Sequence, residues 1–270
     1  MLVIIKGAGD LATGVALRLY RAGFPVIMTD LPRPTSIRRT VSFSQAVLYG
    51  SYKVEDVTAR LAASPSEAME ILAEGEIAVL ADPEARCVRE LHPDILVDVI
   101  LAKRNLGTSI TDAPVVIAAG PGFSAGADCH AVIETMRGHY LGRVILKGPA
   151  LPNTNIPGLI GGFAGERVLR APADGTFRQL REIGDLVRAG DAAGTVGDLP
   201  VVCQIDGILR GILSDGTQVR RGMKSGDVDP RCELKHCYCA SDKALAVGGG
   251  VLEAALLLSG IVKKGNTNIR

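Results

Sequence analysis

Residues 3–30 read VIIKGAGDLATGVALRLYRAGFPVIMTD, and this stretch carries the strongest structural signal in the chain. The apolar residues 3–5 predict a buried strand, the glycines after them predict a tight turn, and the apolar spacing over 10–21 is typical of a helix. A second apolar strand follows and ends at Asp30. This order predicts a βαβ unit of a parallel sheet.

The glycine turn has the residue types of a dinucleotide site. Gly7 permits the turn, Gly9 lets a pyrophosphate approach the backbone, and Ala12 is small enough for helix and strand to pack closely. Asp10 opens the helix, whose first N–H groups face the phosphates, and Asp30 accepts a hydrogen bond from a ribose hydroxyl. We therefore expect NAD or another dinucleotide at these five residues. The alternative is an ordinary βαβ unit whose glycines serve only the turn.

Three arginines close to Asp30 bear on the choice of dinucleotide. Arg33, Arg38 and Arg39 could accept the 2′-phosphate of NADP, whereas the acid at position 30 disfavours it. The acid favours NAD over NADP.

The composition excludes several classes of protein. A hydrophobic content of 47% in 270 residues predicts a globular protein with a sizeable core. A net charge of +1 argues against a nucleic-acid partner or a membrane surface, and no apolar stretch is long enough to span a membrane. Without a signal peptide the expected location is cytoplasmic, where the six cysteines are free thiols or ligands rather than disulfides.

Further apolar runs extend the predicted sheet. Residues 77–83, 95–100 and 115–120 are short and almost continuously apolar, as in strands of a parallel sheet covered on both faces. The predicted fold class is therefore α/β, with a doubly wound, Rossmann-like parallel sheet. Ligands of such sheets bind at the carboxyl ends of the strands.

An internal repeat marks a second region. Residues 171–196 match 203–228, and the glycines at 175, 184, 190 and 194 recur at 207, 216, 222 and 226. Turn glycines between short alternating stretches predict an all-β module. The predicted domains are residues 1–164 (nucleotide-binding), 165–231 (an inserted β module) and 232–270 (a segment returning to the first domain).

The repeated module resembles the barrel-sandwich folds of biotinyl and lipoyl domains. Those domains carry a modifiable lysine in the hairpin between their two halves. The corresponding residues 197–200 read GDLP and contain no lysine. The sequence therefore predicts no covalent lipoyl or biotin.

Two groups of cysteines are candidates for chemistry. Cys129, followed by His130, is expected to open a helix, where its thiol pKa would be lowered and the pair could be catalytic; the alternative is a buried structural thiol. The residues Cys232, His236, Cys237 and Cys239 form a second cluster. This cluster is a weak candidate for a metal site, since the Cys-x-Cys spacing is tight, and the alternatives are chalcogen handling or structural thiols.

Candidate substrate-binding residues follow two of the predicted strands. Lys103 and Asn105, with Asp98 and Arg104, lie at or after a strand's carboxyl end and could bind an anion; the alternative is a solvated loop. Gly122 and Phe123 lie in the glycine loop after the next strand.

Motifs along nearly the whole chain resemble the accessory family of the bacterial selenium-dependent molybdenum hydroxylase system. They are KGAGDLA (6–12), GPGF (120–123), DCHAVIET (128–135), GDVDPR (226–231), SDKA (241–244) and GGGVLEA (248–254). Asn155 departs from the resemblance, which leads us to expect glycine at that position.

The resemblance implies a role in maturing molybdenum hydroxylases, with the hydroxylase apoprotein or other maturation factors as partners. The ligand would then be a dinucleotide, such as a molybdopterin dinucleotide, and the protein would assist selenium or sulfur insertion. Two alternatives remain open, an NAD-dependent oxidoreductase and a docking module with a structural nucleotide. The sequence leaves open whether the protein is an enzyme and whether it is a homo-oligomer.

Overall fold

The computed structural model describes residues 1–262. The helices are α1 (Asp10–Arg21), α2 (Gln45–Tyr49), α3 (Pro65–Ala73), α4 (Cys87–Leu91) and α5 (Asp242–Ser259), with short 3-10 helices at Arg39–Val41 and Leu234–Cys237. The strands of the first half are β1 (Val3–Lys6), β2 (Val26–Thr29), β3 (Ser51–Val54), β4 (Val57–Ala62), β5 (Ile77–Leu80), β6 (Ile95–Asp98), β7 (Val115–Ala119), β8 (Ser124–Ala125), β9 (Ala131–Ile133), β10 (Val144–Ile145) and β11 (Gly148–Pro149). The strands of the second half are β12 (Val168–Arg170), β13 (Gly175–Gln179), β14 (Leu186–Val187), β15 (Ala192–Val196), β16 (Leu199–Val202), β17 (Gly207–Ile212), β18 (Gln218–Val219) and β19 (Lys224–Asp229). No helix within residues 1–262 is long and apolar enough to cross a membrane.

The largest sheet is mixed rather than doubly wound and parallel. Its nine strands have the order β10-β9-β7-β6-β1-β2-β5-β4-β3, with antiparallel pairs at both edges, β3 with β4 and β9 with β10. β6 and β7 are joined by an irregular segment instead of a crossover helix, and three of its residues, Leu101, Lys103 and Gly107, have positive φ angles. A helix cannot form over such angles. The prediction of a Rossmann-like fold is therefore wrong, and the fold is a large mixed α/β sheet.

Helices α1 and α5 lie against each other and run in the same direction. A Cβ atom at Gly14 would lie 2.5 Å from the Cβ atom of Ala244, and one at Gly248 would lie 2.6 Å from the carbonyl oxygen of Gly14 and 2.9 Å from Cγ of Arg18. The contacts advance together along both helices, so both helices begin at the same end. α5 is continuous through its three glycines, so the break that glycine propensity predicts there is absent. Close backbone packing accounts for Gly248.

The repeat folds as two four-stranded antiparallel sheets. One has the order β12-β19-β17-β14 and the other β16-β15-β13-β18, and an offset of 32 residues converts each order into the other. Both copies supply the shared core, with Phe177 from the first copy and Leu209 from the second fully buried.

The two-sheet module is joined to the large sheet by direct contacts. Ile212 N–H donates to the carbonyl of Ile37 at 2.9 Å, and Arg39 Nε donates to the carbonyl of Ile212 at 2.9 Å. The prediction of a biotinyl-like or lipoyl-like module inserted in a Rossmann sheet is therefore wrong. The structure has two four-stranded sheets that contact a large mixed sheet.

Neighbouring glycines of α5 test the importance of the helix contact. Gly248→Ala should destabilise the protein by about 1–3 kcal/mol, because the added methyl group meets backbone that cannot move away. Gly249→Ala should stabilise it by roughly 0.5–1 kcal/mol, since no atom lies within 4 Å of the added Cβ and alanine favours helix. Urea unfolding followed by circular dichroism measures both changes, and equal effects of the two variants would contradict the close contact.

Candidate functional site: a basic cleft at the strand ends

A cleft of about 1080 Å³ lies between the carboxyl ends of the parallel strands and the two-sheet module. Its volume lies slightly above the ~300–1,000 Å³ range of ligand sites. The charged residues that line it are Arg38, Lys103, Arg137, Arg167, Arg170, Arg210, Lys224 and Lys243, with Asp10, Asp30, Glu134 and Asp227. Positively charged side chains outnumber negatively charged ones by eight to four, so the cleft favours an anionic ligand.

The glycine turn forms one wall of this cleft. Gly7 has a φ angle of +101°, and a Cβ atom there would lie 3.0 Å from the carbonyl oxygen of Val99, so the position requires glycine. Gly9 is the N-cap of α1 and provides no side-chain hydrogen bond. Within residues 1–262, no acceptor binds the N–H groups of the first three residues of α1. Gly7, Gly9, Asp10, Ala12 and Asp30 all line the cleft.

Asp30 holds the turn closed. Its carboxylate accepts hydrogen bonds from the backbone N–H of Ala8 at 2.9 Å and of Leu31 at 2.7 Å. Burial raises the pKa of Asp30, and the two backbone hydrogen bonds act in the opposite direction. The carboxylate thus positions the loop and keeps acceptor capacity for a ligand hydroxyl.

Two of the three arginines after Asp30 are engaged elsewhere. Arg39 binds the carbonyl of Ile212 and the side chain of Gln179, both in the two-sheet module. Arg38 is buried, and its Nη2 donates to the carbonyl of His236 at 2.7 Å. Their proximity in sequence to Asp30 therefore does not place them around a 2′-phosphate.

A buried ion network forms the opposite wall. Asp227 binds Arg167 and Arg210, and Asp229 binds Arg210 at 3.1 Å and Arg231 at 2.6 Å. Burial raises the pKa of Asp229, but the hydrogen bonds from Arg231 and the charges of Arg210 and Arg231 outweigh it and lower the pKa to about 2. Of this network, Arg167, Arg210 and Asp227 line the cleft, which leaves an excess positive charge at this wall.

Lys243 is a cleft residue that sequence reasoning did not single out. It is the second residue of α5, and within residues 1–262 no hydrogen-bond acceptor or carboxylate partner reaches its amine. Burial lowers the pKa of Lys243, and the nearby positive charge of Arg137 lowers it further. A signal for it exists in the sequence, because a lysine in the first turn of a helix opposes the helix dipole.

Only one of the four predicted substrate-binding residues lines the cleft. Lys103 does so, and its Nζ donates to Oδ1 of Asn155 at 3.4 Å. Asn155, where glycine was expected, has a φ angle of +58°, in the left-handed region that asparagine tolerates. The side chain of Asn105 binds the backbone of its own loop, and Phe123 is buried in the core.

Gly122 and Asp98, also candidates, stabilise the loops around the cleft. A Cβ atom at Gly122 would lie 2.6 Å from the backbone of Arg104, so this glycine allows two loops to meet. Asp98 is buried, accepts a hydrogen bond from Thr108 at 2.6 Å and lies 3.5 Å from Nζ of Lys6. These contacts fasten the loop after β6 to the strand ends.

Cys129 and His130 lie away from the cleft. The residues after them form β9, which pairs with β7, so the predicted helix is wrong. Cys129 is fully buried, and burial raises the pKa of its thiol to about 12, opposite to the expected lowering. Nδ1 of His130 accepts a hydrogen bond from the backbone of Val116 at 3.0 Å. The geometry gives this pair no access to a ligand in the cleft.

The second cysteine cluster is not brought together as a metal site. Cys232 is exposed, Cys239 is partly exposed, and Cys237 is buried with a pKa raised by burial. His236 lies 3.9 Å from Asp229. Within residues 1–262, no three side chains of His, Cys, Asp or Glu are grouped as metal ligands.

Comparison with known proteins gives one close sequence relative. No protein-family model matches the chain. A protein of Escherichia coli (strain K12), described as uncharacterized protein YqeB, is 54% identical over 257 residues, which are 95% of this chain and 48% of that protein. The chain therefore spans about half the length of this relative.

Solved structures give only distant likenesses. A succinylglutamate desuccinylase/aspartoacylase from Rhodobacter sphaeroides is 29% identical over 24% of this chain and 22% of its own, with a TM-score of 0.21. An aspartoacylase family protein from Mesorhizobium loti is 13% identical over 84% and 83%, with a TM-score of 0.25. A succinylglutamate desuccinylase from a Silicibacter species is 12% identical over 84% of each chain, with a TM-score of 0.24. At these TM-scores neither fold nor hydrolytic activity is carried over to this chain.

The comparisons correct the family resemblance. The relative and the solved structures named above are not described as selenium-dependent molybdenum hydroxylase accessory proteins; the structures are aspartoacylase and desuccinylase proteins. Membership of that family and the expected role in selenium or sulfur insertion are therefore withdrawn. The alternatives of an NAD-dependent oxidoreductase and of a docking module are not supported either.

Alkylation rates distinguish the cysteines. At about pH 8, Cys129 should react at least ~100-fold more slowly than Cys232, because its thiolate is scarce and its side chain is buried. Iodoacetamide labelling in the folded protein, followed by peptide mapping at several times, measures each site. Equal rates at Cys129 and Cys232 would show that Cys129 is accessible.

Proposed function

We propose that this chain binds a phosphate-bearing small molecule of the nucleotide class, such as NAD or another dinucleotide, with its pyrophosphate at the glycine turn. The observation that carries the proposal is the uncapped start of α1, which opens into a large, basic cleft. N–H groups without acceptors at a helix start are a favourable environment for phosphate oxygens. The proposal concerns binding and assigns no reaction.

The wall of the cleft supports a ligand of this size and charge. A Cβ atom at Gly9 would meet only Oγ of Ser36, at 3.4 Å. Packing within the protein therefore does not explain why this position is glycine. Close approach of a ligand to the backbone supplies such a reason. Asp30 lies beside the turn with its carboxylate oriented by two N–H groups, where a ribose hydroxyl can donate to it.

The starts of α3 and α5 are capped by a side chain, unlike that of α1, whereas the short helices α2 and α4 also lack a side-chain cap. The side chain of Ser64 accepts a hydrogen bond from Glu67 N–H at the start of α3, and that of Ser241 accepts from Ala244 N–H at the start of α5. In both helices serine satisfies a donor that would otherwise need solvent or a ligand. The donors of α1 are left for a ligand.

A substitution at the glycine turn tests the proposal. Gly9→Val should weaken the binding of NAD by more than tenfold, about 1.4 kcal/mol, because a branched side chain occupies the place of the pyrophosphate. Gly9→Ala should have a smaller effect in the same direction. Titration calorimetry measures both affinities, and urea unfolding checks that the fold is retained.

Gly165→Val is the matched control. Gly165 lies outside the cleft, and no atom lies within 4 Å of its added Cβ, so its affinity for NAD should equal that of the wild type. Equal affinities of wild type and Gly9→Val would place the ligand elsewhere. Absence of binding by NAD, NADP and mononucleotides to the wild-type protein would overturn the proposal itself.

A further inference from the structure

We propose that Lys243 is a ligand for an anionic group, a phosphate or pyrophosphate, at the start of α1. The inference rests on the proposed function for the identity of the whole ligand, but it concerns a residue of a different helix. It assigns α5 a direct part in binding, in addition to its packing role.

The packing of the two helices places Lys243 beside the phosphate site. Ala244 contacts Gly14, which is one turn beyond Asp10, and the helices run parallel. The residue before Ala244 therefore lies beside the first turn of α1. Lys243, Gly9 and Asp10 line the same cleft. The close contact between Gly14 and Ala244 thus brings Lys243 to the cleft into which α1 opens.

A second cation of the cleft, Arg38, has one buried donor without an acceptor. Arg38 lines the cleft and is only 8% exposed, and its Nε is buried without an acceptor within residues 1–262. Its Nη1 lies 3.8 Å from the carboxylate of Asp10, beyond hydrogen-bond distance, while Nη2 is held by the carbonyl of His236. Leaving a buried donor unsatisfied costs about 1–3 kcal/mol. Arg38, whose Nη1 faces Asp10, also adds positive charge at the start of α1.

The charges around Lys243 couple the binding of an anion to the uptake of a proton. Burial is the largest cause that disfavours the charged amine, and the positive charges of Arg137 and Lys224 disfavour it further. The carboxylates of Asp10 and Glu134 favour the charged amine but do not outweigh these causes, so the pKa of Lys243 is lowered. A bound phosphate adds negative charge next to the amine and raises the pKa again. Between the two pKa values the protein takes up a proton on binding, so affinity falls as the pH rises through this range.

Calorimetry with two probes tests the inference. Inorganic pyrophosphate and NAD are titrated separately, in buffers of different ionisation enthalpy, from about pH 7 to about pH 10. The wild type should take up protons. Lys243→Met should weaken pyrophosphate binding by about tenfold or more and abolish proton uptake. Lys243→Arg keeps the charge but does not titrate, so it should retain most of the affinity and lose the proton uptake.

Lys147→Met controls for a general loss of charge, since Lys147 is exposed and outside the cleft. Unchanged pyrophosphate affinity and undiminished proton uptake in Lys243→Met would overturn the inference. If NAD binds without dependence on Lys243, the inference fails and the proposed function stands. If pyrophosphate binding needs Lys243 but NAD does not bind, the anion site stands and the nucleotide proposal fails. Binding of neither probe overturns both.

Discussion

The contact between α1 and α5 is the constraint on which the site depends. Gly14 and Gly248 bring the two backbones so close that a methyl group on either would collide with the other helix. This closeness fixes the axial position of α5 along α1, so both helices begin at the same edge of the large sheet. That edge is also where the parallel strands end, and the cleft forms there.

Arginines couple the two-sheet module to this edge. Arg39 donates to the carbonyl of Ile212 in the module, and Arg38 donates to the carbonyl of His236, in the segment between the module and α5. Arg167 and Arg210 remain within the module, where Asp227 holds both. Because buried charges are tolerated only when paired, these contacts fix the relative position of the walls. The excess of positive over negative charge then faces the space between them.

Local sequence was sufficient for part of the fold and insufficient for the rest. The buried strands β1, β2, β5, β6 and β7 are almost continuously apolar, and the repeat fixes the turns of the module, so both could be predicted from the sequence. The strand at β9 could not, because residues 131–133 take their place in the sheet by pairing with β7 on one side and β10 on the other. The continuity of α5 could not either, since tertiary packing overrides the low helix propensity of its glycines.

The candidate site also has one part that local sequence predicts and another that only the fold brings together. The glycine turn is local and can be predicted, whereas Arg38 and Lys243 are about two hundred positions apart in the sequence and come to line one cleft only through the fold. Each breaks a local rule, because α1 starts without a cap, Lys243 opposes the dipole of its helix, and Arg38 buries an unsatisfied donor. Such violations concentrate at functional sites in proteins whose sequences are otherwise consistent with their folds. Gly9 at the start of α1, Arg38 and Lys243 all line one cleft, which is where the proposed anion would bind.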